Sequence, residues 1–176
     1  MKPAAVLALA CALASVAACA PAVQGGAPMD LPPGLVETAR IGSITVSSGW
    51  LDAEDDFSDT FSDEVREELQ ACAYGTYTLD LRVHVNELER AGRLQTLLDG
   101  EGMHTLTATA ELVDPQREGA VVGRFPISVG TQAGGAVAAV LGDRQMMVSE
   151  EWGRALCDTA FGRNPRRDGP WNATRG

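Results

Sequence analysis

The chain of 176 residues carries 14 Lys and Arg against 24 Asp and Glu, a formal net charge of −10. Such a balance repels phosphate backbones and anionic head groups, which excludes nucleic-acid binding and a polybasic membrane dock. With 45% hydrophobic residues at a single domain's length, it can bury a core of its own.

At the N-terminus, Lys2, the sole lysine, precedes an apolar stretch from about Pro3 to Leu13 and then a run of small residues. That order is the order of a signal peptide. Val16, Ala17, Ala18 and Cys19 resemble the lipobox of bacterial lipoproteins, with an aliphatic residue three places before the cysteine and small residues directly before it. The resemblance implies a signal peptide over 1–18, a diacylglyceryl thioether on Cys19, cleavage before it and acylation of the new amino terminus. It also implies the periplasmic face of the outer membrane, because alanine follows the cysteine where aspartate would favour inner-membrane retention. Two other readings compete. An ordinary signal could be cut after Ala20, although Pro21 would then follow the cut. A retained membrane helix needs about twenty apolar residues, and this stretch is short and dominated by weakly hydrophobic alanine.

Removing 1–18 takes away Lys2 and Cys11, leaving thirteen arginines against the same acids. With Cys19 lipidated, Cys72 and Cys157 remain as an even pair in an oxidising compartment, and we expect a disulfide between them. Two buried thiols in separate helices are the alternative, since free cysteine packs as a small hydrophobe.

Residues 19–34 are rich in Pro, Gly and Ala without an apolar period and predict a flexible tether. The domain is expected over 35–164. Ile41 to Val46 is β-branched and predicts a first strand. From Asp56 to about Ala73 the period turns helical, with Phe57, Phe61, Val65, Leu69 and Cys72 on one stripe and Gly75 placed to stop the helix. Tyr77, Leu79, Leu81, Val83 and Val85 then alternate with polar residues, the pattern of an antiparallel strand wet on one side. Glu87 to Gly102 predicts a long hairpin connection with a helical turn around Leu94 to Leu98. Leu106, Ala108, Ala110 and Leu112 form the buried side of a third strand, and Asp114 to Gly119 a turn. Val121 to Val129 makes a fourth strand that Pro126 assigns to a sheet edge or a bulge. A Gly- and Ala-rich stretch, Thr131 to Gly142, leads to a second helix that ends at Phe161 and buries Val148, Trp152, Ala155, Leu156 and Ala160. Residues 165–176 lack a packing pattern and predict a disordered tail.

The order β-α-β-β-β-α predicts an α+β two-layer sandwich: a mostly antiparallel sheet of about four strands with two helices on one face. Behind a lipobox, this order is similar to that of small envelope lipoproteins such as the lipopolysaccharide-assembly lipoprotein and the auxiliary lipoproteins of ABC transporters. The similarity lies in element order, so no residue roles follow from it.

Chemistry-bearing patterns are sparse. The acidic run from Asp52 to Glu68 can be laid on a calcium loop, but Phe57 stands where the turn needs glycine and Asp63 where a bidentate glutamate is needed. Acids before and within the first turn of a helix, favoured at its positive end and solvated on its outer face, are the better reading, so no metal site and no cofactor are expected. His84 and His104, the two histidines, are expected in the same region of the sheet, but no nucleophile or third ligand joins them. We therefore expect a non-enzymatic binding or assembly accessory of an envelope complex, held by its lipid at the membrane. Contacts to a protein partner are expected from the polar sheet face, Thr78, Arg82, His84, Thr105, Thr107 and Thr109, and from Arg124 on the edge strand. One alternative is a transport auxiliary with an apolar pocket lined by Phe57, Phe61 and Trp152; another is an envelope hydrolase.

Overall fold

The computed structural model describes residues 26–48, 57–89, 102–133 and 144–163. In chain order these form helix α1 (Pro33–Thr38), strand β1 (Ala39–Ser47), helix α2 (Phe57–Gln70) and strand β2 (Tyr77–Glu89). Strand β3 (Gly102–Asp114), a 3-10 turn (Pro115–Arg117), strand β4 (Ala120–Ala133) and helix α3 (Arg144–Phe161) follow. The predicted order holds, with α1 added in front. Pro33 opens that helix at a position where a missing N–H costs no hydrogen bond.

The sheet runs β1-β2-β3-β4. β2, β3 and β4 are an antiparallel meander, whereas β1 lies parallel to β2. The parallel pair follows from α2, which returns the chain to the end of the sheet at which β1 began. Leu79, Leu81, Val83 and Val85 on β2, Leu106, Ala108, Ala110 and Leu112 on β3, and Phe125 and Ile127 on β4 are buried on one face. The stripes Phe57, Phe61, Val65, Leu69 on α2 and Val148, Trp152, Leu156, Ala160 on α3 are buried with them. The architecture is thus the expected two-layer α+β sandwich. Ala155, predicted in the core, is only half-buried, and Cys157 and Phe161 are buried on that helix.

The two helices are tied twice. The expected disulfide joins Cys72, just past α2, to Cys157 on α3, with Cα atoms 5.7 Å apart across 85 residues of sequence. Arg154 of α3 reaches Glu68 of α2 at 3.0 Å, and Glu150 and Glu151 of its own helix. Beyond α3, Arg163 donates to the Cys72 carbonyl and lies 4.5 Å from the centre of the Tyr74 ring.

These contacts define the two ends of the molecule. At one end lie the β3–β4 turn, the starts of β1 and β2, and the C-termini of α2 and α3 around Tyr74. At the other lie the ends of β1, β2 and β4 and the starts of β3, α2 and α3. The turn at the first end is held by Asp114, whose carboxylate accepts from the Gln116 N–H at 2.9 Å and the Tyr77 hydroxyl at 2.8 Å. Donating a hydrogen bond to that carboxylate, whose negative charge disfavours a phenolate beside it, raises the Tyr77 phenol above the ordinary tyrosine value.

Gly75 has a different task from the helix stop expected of it. α2 ends at Gln70, and Gly75 instead lets two backbones meet: its N–H donates to the Ala39 carbonyl at 2.9 Å. A Cβ there would stand 1.9 Å from the Thr38 carbonyl oxygen. Gly75→Ala must therefore push β1 away from the Tyr74 turn, and an overpacking cost of about 1–3 kcal/mol is expected. A lower urea midpoint with an unchanged slope is the measurement that checks it.

Residues 90–101, 134–143 and 164–176 lie outside the described residues, and with them the expected helical turn at Leu94 to Leu98, most of the Gly/Ala-rich stretch and the expected tail.

Candidate functional site

The sheet face away from α2 and α3 collects the polar side chains that sequence patterning proposed for partner contact. In register, Thr78 of β2 is beside Arg40 of β1, Arg82 is opposite Glu111, and Glu111 opposite Arg124. His84 is opposite Thr109, and Thr107 opposite Ser128. A shift between Val85 and Glu87 brings Glu87 opposite Thr107 and Glu89 opposite Thr105, so the face continues past the point where the simple alternation ends. All seven proposed residues therefore share one face. They are spread along it rather than gathered at a point, since Thr78 and the Thr105 partner Glu89 are eleven residues apart on β2, about 36 Å.

Most of these side chains spend their hydrogen bonds on each other. Arg40 donates to Thr78 at 2.9 Å, the Ser43 N–H to Asp80 at 3.0 Å, and Thr109 to Asn86 at 3.1 Å. Thr107 and Ser128 are 3.0 Å apart. Cross-strand pairs of this kind fix register and present a pre-ordered polar surface. Sequence reasoning missed Asp80, Asn86 and Ser128 because only register reveals which polar residue faces which.

The deepest feature of the face is Glu111. Its side chain is fully buried although it points to the polar side, and Arg124 donates to it from Nε at 2.8 Å. Arg124 is itself held by the N-terminal segment. Met29 and Arg124 exchange both backbone hydrogen bonds, at 2.9 and 2.8 Å, and the Arg124 guanidinium donates to the Ala27 carbonyl at 3.1 Å. Leu31 is buried with the core, near Gly123, where a Cβ would come 3.5 Å from the leucine and 2.9 Å from the Phe125 ring. Residues 26–31 are thus a strap on the outer edge of β4. The segment expected to be a flexible tether up to residue 34 is backbone-paired at Met29 and buried at Leu31, so the folded part starts earlier than residue 35.

Pro126 explains where this strap stops pairing. The expectation that it marks an edge is met, since β4 is the last strand of the sheet. Carried two residues on, the Met29–Arg124 register sets Ala27 opposite Pro126. Proline has no N–H for the ladder, and the Ala27 carbonyl takes the Arg124 guanidinium in its place.

His84 Nδ1 is 3.1 Å from the Ser47 hydroxyl, which also donates to the Val83 carbonyl at 3.3 Å. The serine proton thus has a backbone acceptor in competition with the imidazole. The two histidines do not share a region as expected. His84 is opposite Thr109, and His104 lies five residues away along β3, about 17 Å. Of the acidic run, Asp52 to Asp56 fall outside the described residues, while Asp59 and Asp63 are exposed on α2. Among the described residues no three His, Cys, Asp or Glu side chains are grouped to hold a metal ion. Phe57, Phe61 and Trp152, the proposed pocket lining, pack on one another with ring centres 5.7 and 5.1 Å apart.

A two-layer sandwich of this topology has a solved counterpart. A structure of the PelC dodecamer from Paraburkholderia phytofirmans is similar at a TM-score of 0.50 and 12% identity, covering 76% of this chain and 96% of that one. The likeness is one of fold. A provisionally assigned lipoprotein from Caulobacter crescentus matches at a TM-score of 0.41 and 22% identity, covering 65% of this chain and 84% of that one. A minor lipoprotein from Acinetobacter baumannii matches at 0.36 and 15%, covering 65% and 88%. These two are too loose to carry an argument. No protein-family model matches the chain, and no curated protein matches it either.

Proposed function

We propose that the protein is a lipid-anchored periplasmic lipoprotein at the outer membrane, acting without catalysis as a binding or assembly accessory of an envelope complex. The observation that carries the reading is Cys19 behind Val16, Ala17 and Ala18, seven residues before a strap that docks on the sheet. The Cys72–Cys157 disulfide agrees with an oxidising compartment. The polar sheet face, pre-ordered by its cross-strand bonds, is the surface offered to a protein partner. Confinement by the acyl chains would raise the effective concentration of that surface near membrane-bound partners. An assembling role also suits a fold found in the PelC dodecamer.

Labelling with radioactive palmitate tests the anchor. The wild-type chain should incorporate label and fractionate with the outer membrane, and Cys19→Ala should lose both. Label that survives Cys19→Ala would overturn the reading.

A further inference from the structure

We infer that Arg163 is a latch over the Cys72–Cys157 bridge: seated, it keeps a thiol from the sulfurs, and its release opens the bridge to exchange while the domain stays folded.

The end of α3 puts the latch in place. Gly162 takes a φ of 63°, the left-handed conformation that favours glycine, and turns the chain back on the helix. The Gly162 N–H donates to the Asp158 carbonyl at 3.0 Å and the Arg163 N–H to the Cys157 carbonyl at 3.3 Å, the paired bonds of a Schellman end.

The Arg163 side chain then meets the other half of the bridge. Its guanidinium donates to the Cys72 carbonyl and lies 4.5 Å from the centre of the Tyr74 ring. One residue thus bonds the backbone of both cysteines that the disulfide joins. The place suits a cation, because Cys72 lies just past the end of α2 and Cys157 in the last part of α3, where the helix carbonyls point outward and carry partial negative charge. The face of the Tyr74 ring adds to the attraction.

The latch is at the surface although the bridge is not. Both cysteines are fully buried, whereas Tyr74 is exposed and Arg163 half-buried. Toward the middles of the helices, the Arg154–Glu68 pair closes the seam between α2 and α3. Arg163 holds the seam at the helix ends. Lifting one arginine from that end breaks far fewer contacts than parting the helices, whose Phe61, Val65, Trp152 and Leu156 are buried in one core, so it is a local opening.

Exchange with a dithiol reductant begins when a thiolate attacks one cysteine sulfur. The S–S bond breaks and its electron pair leaves on the other sulfur, which takes a proton from water. The second thiol of the reductant then displaces the first cysteine, giving two cysteine thiols and the reductant's cyclic disulfide.

The test uses the full chain with Cys11→Ala and Cys19→Ala, so that Cys72 and Cys157 are the only cysteines. Folded protein is incubated with dithiothreitol, alkylated at timed intervals and weighed by mass spectrometry to count free thiols. This parent chain should lose its bridge only through global unfolding, at a rate that climbs steeply with added urea. Adding Arg163→Ala should speed reduction roughly tenfold or more without urea, and leave the rate nearly flat at low urea, because a charged hydrogen bond and a cation–π contact no longer hold the cover. A chain ended at Pro165 should behave as the parent does. An unchanged rate in Arg163→Ala, or a faster one that keeps the parent's urea slope, overturns the latch. Urea-independent reduction of the parent overturns it too, as does fast reduction of the chain ended at Pro165, which would give the cover to the residues removed.

Discussion

Arg124→Met should lower stability by about 2–4 kcal/mol, near the lower end for a broken buried pair because the Arg124 side chain keeps 14% of its surface in solvent. Methionine keeps the length and the apolar stem, so the loss isolates the charge. It leaves the Glu111 carboxylate fully buried without the guanidinium and removes the donor to the Ala27 carbonyl. For a domain of this size the melting temperature should fall by roughly 10 °C. Arg124→Met combined with Glu111→Leu should recover most of that loss, since two apolar side chains need no partner and buried pairs replaced this way are often neutral. Thermal unfolding of the two variants decides it. A double variant no better than the single one would remove the buried charge as the cause. The strap should respond as well: in Arg124→Met, the amide of Met29 should exchange with solvent faster, because its β4 pairing loses the guanidinium that pins the next carbonyl.

Cys72→Ala with Cys157→Ala should cost about 2–4 kcal/mol, since the bridge closes a loop of 85 residues and its chief effect is on the unfolded chain. Both sulfurs sit in fully buried residues between α2 and α3, and alanine is used because serine would bury two hydroxyls there. Wild-type protein unfolded under a thiol reductant should reach the same midpoint as the double variant. In the unreduced, denatured wild type, thiol titration should find neither cysteine free; two free thiols would contradict the bridge. The Arg154 contacts to Glu68, Glu150 and Glu151 remain in the double variant. The helix pair should therefore loosen rather than separate, and the m-value should rise, because the denatured chain without its cross-link exposes more surface.

The parts of the fold legible in the sequence are those set by local periods. Alternation from Tyr77 to Val85 announces β2 and its polar face, because successive side chains in a strand must point to opposite sides. The stripe from Phe57 to Leu69 announces α2 for the equivalent reason at 3.6 residues per turn. Pro126 marks the edge strand correctly, since a residue without an N–H is harmless only where a neighbouring strand does not need it. The strap escaped because Met29 and Leu31 are two apolar residues among Pro and Gly, too few to make a period. Their pairing partner is also about ninety residues away. Glu111 escaped as well: a glutamate on the polar side of an alternating strand is expected in water, and its partner Arg124 comes from a neighbouring strand that spacing within β3 does not reveal. The separation of His84 from His104 follows from hairpin register, which the connection between β2 and β3 controls and neither strand encodes by itself.

The sequence by itself determined the pairing of Cys72 with Cys157, the acidic balance and the two-layer α+β class. Each follows from residue type or from spacing within one element. Tertiary structure alone decided that β1 runs parallel to β2, that Gly75 serves a backbone crossing, and that residues 26–31 close the β4 edge beside the Arg124–Glu111 ion pair. Those features depend on which distant segments meet. Pairing across sheet edges and burial of a charge are properties of two surfaces brought together, and neither surface carries them alone.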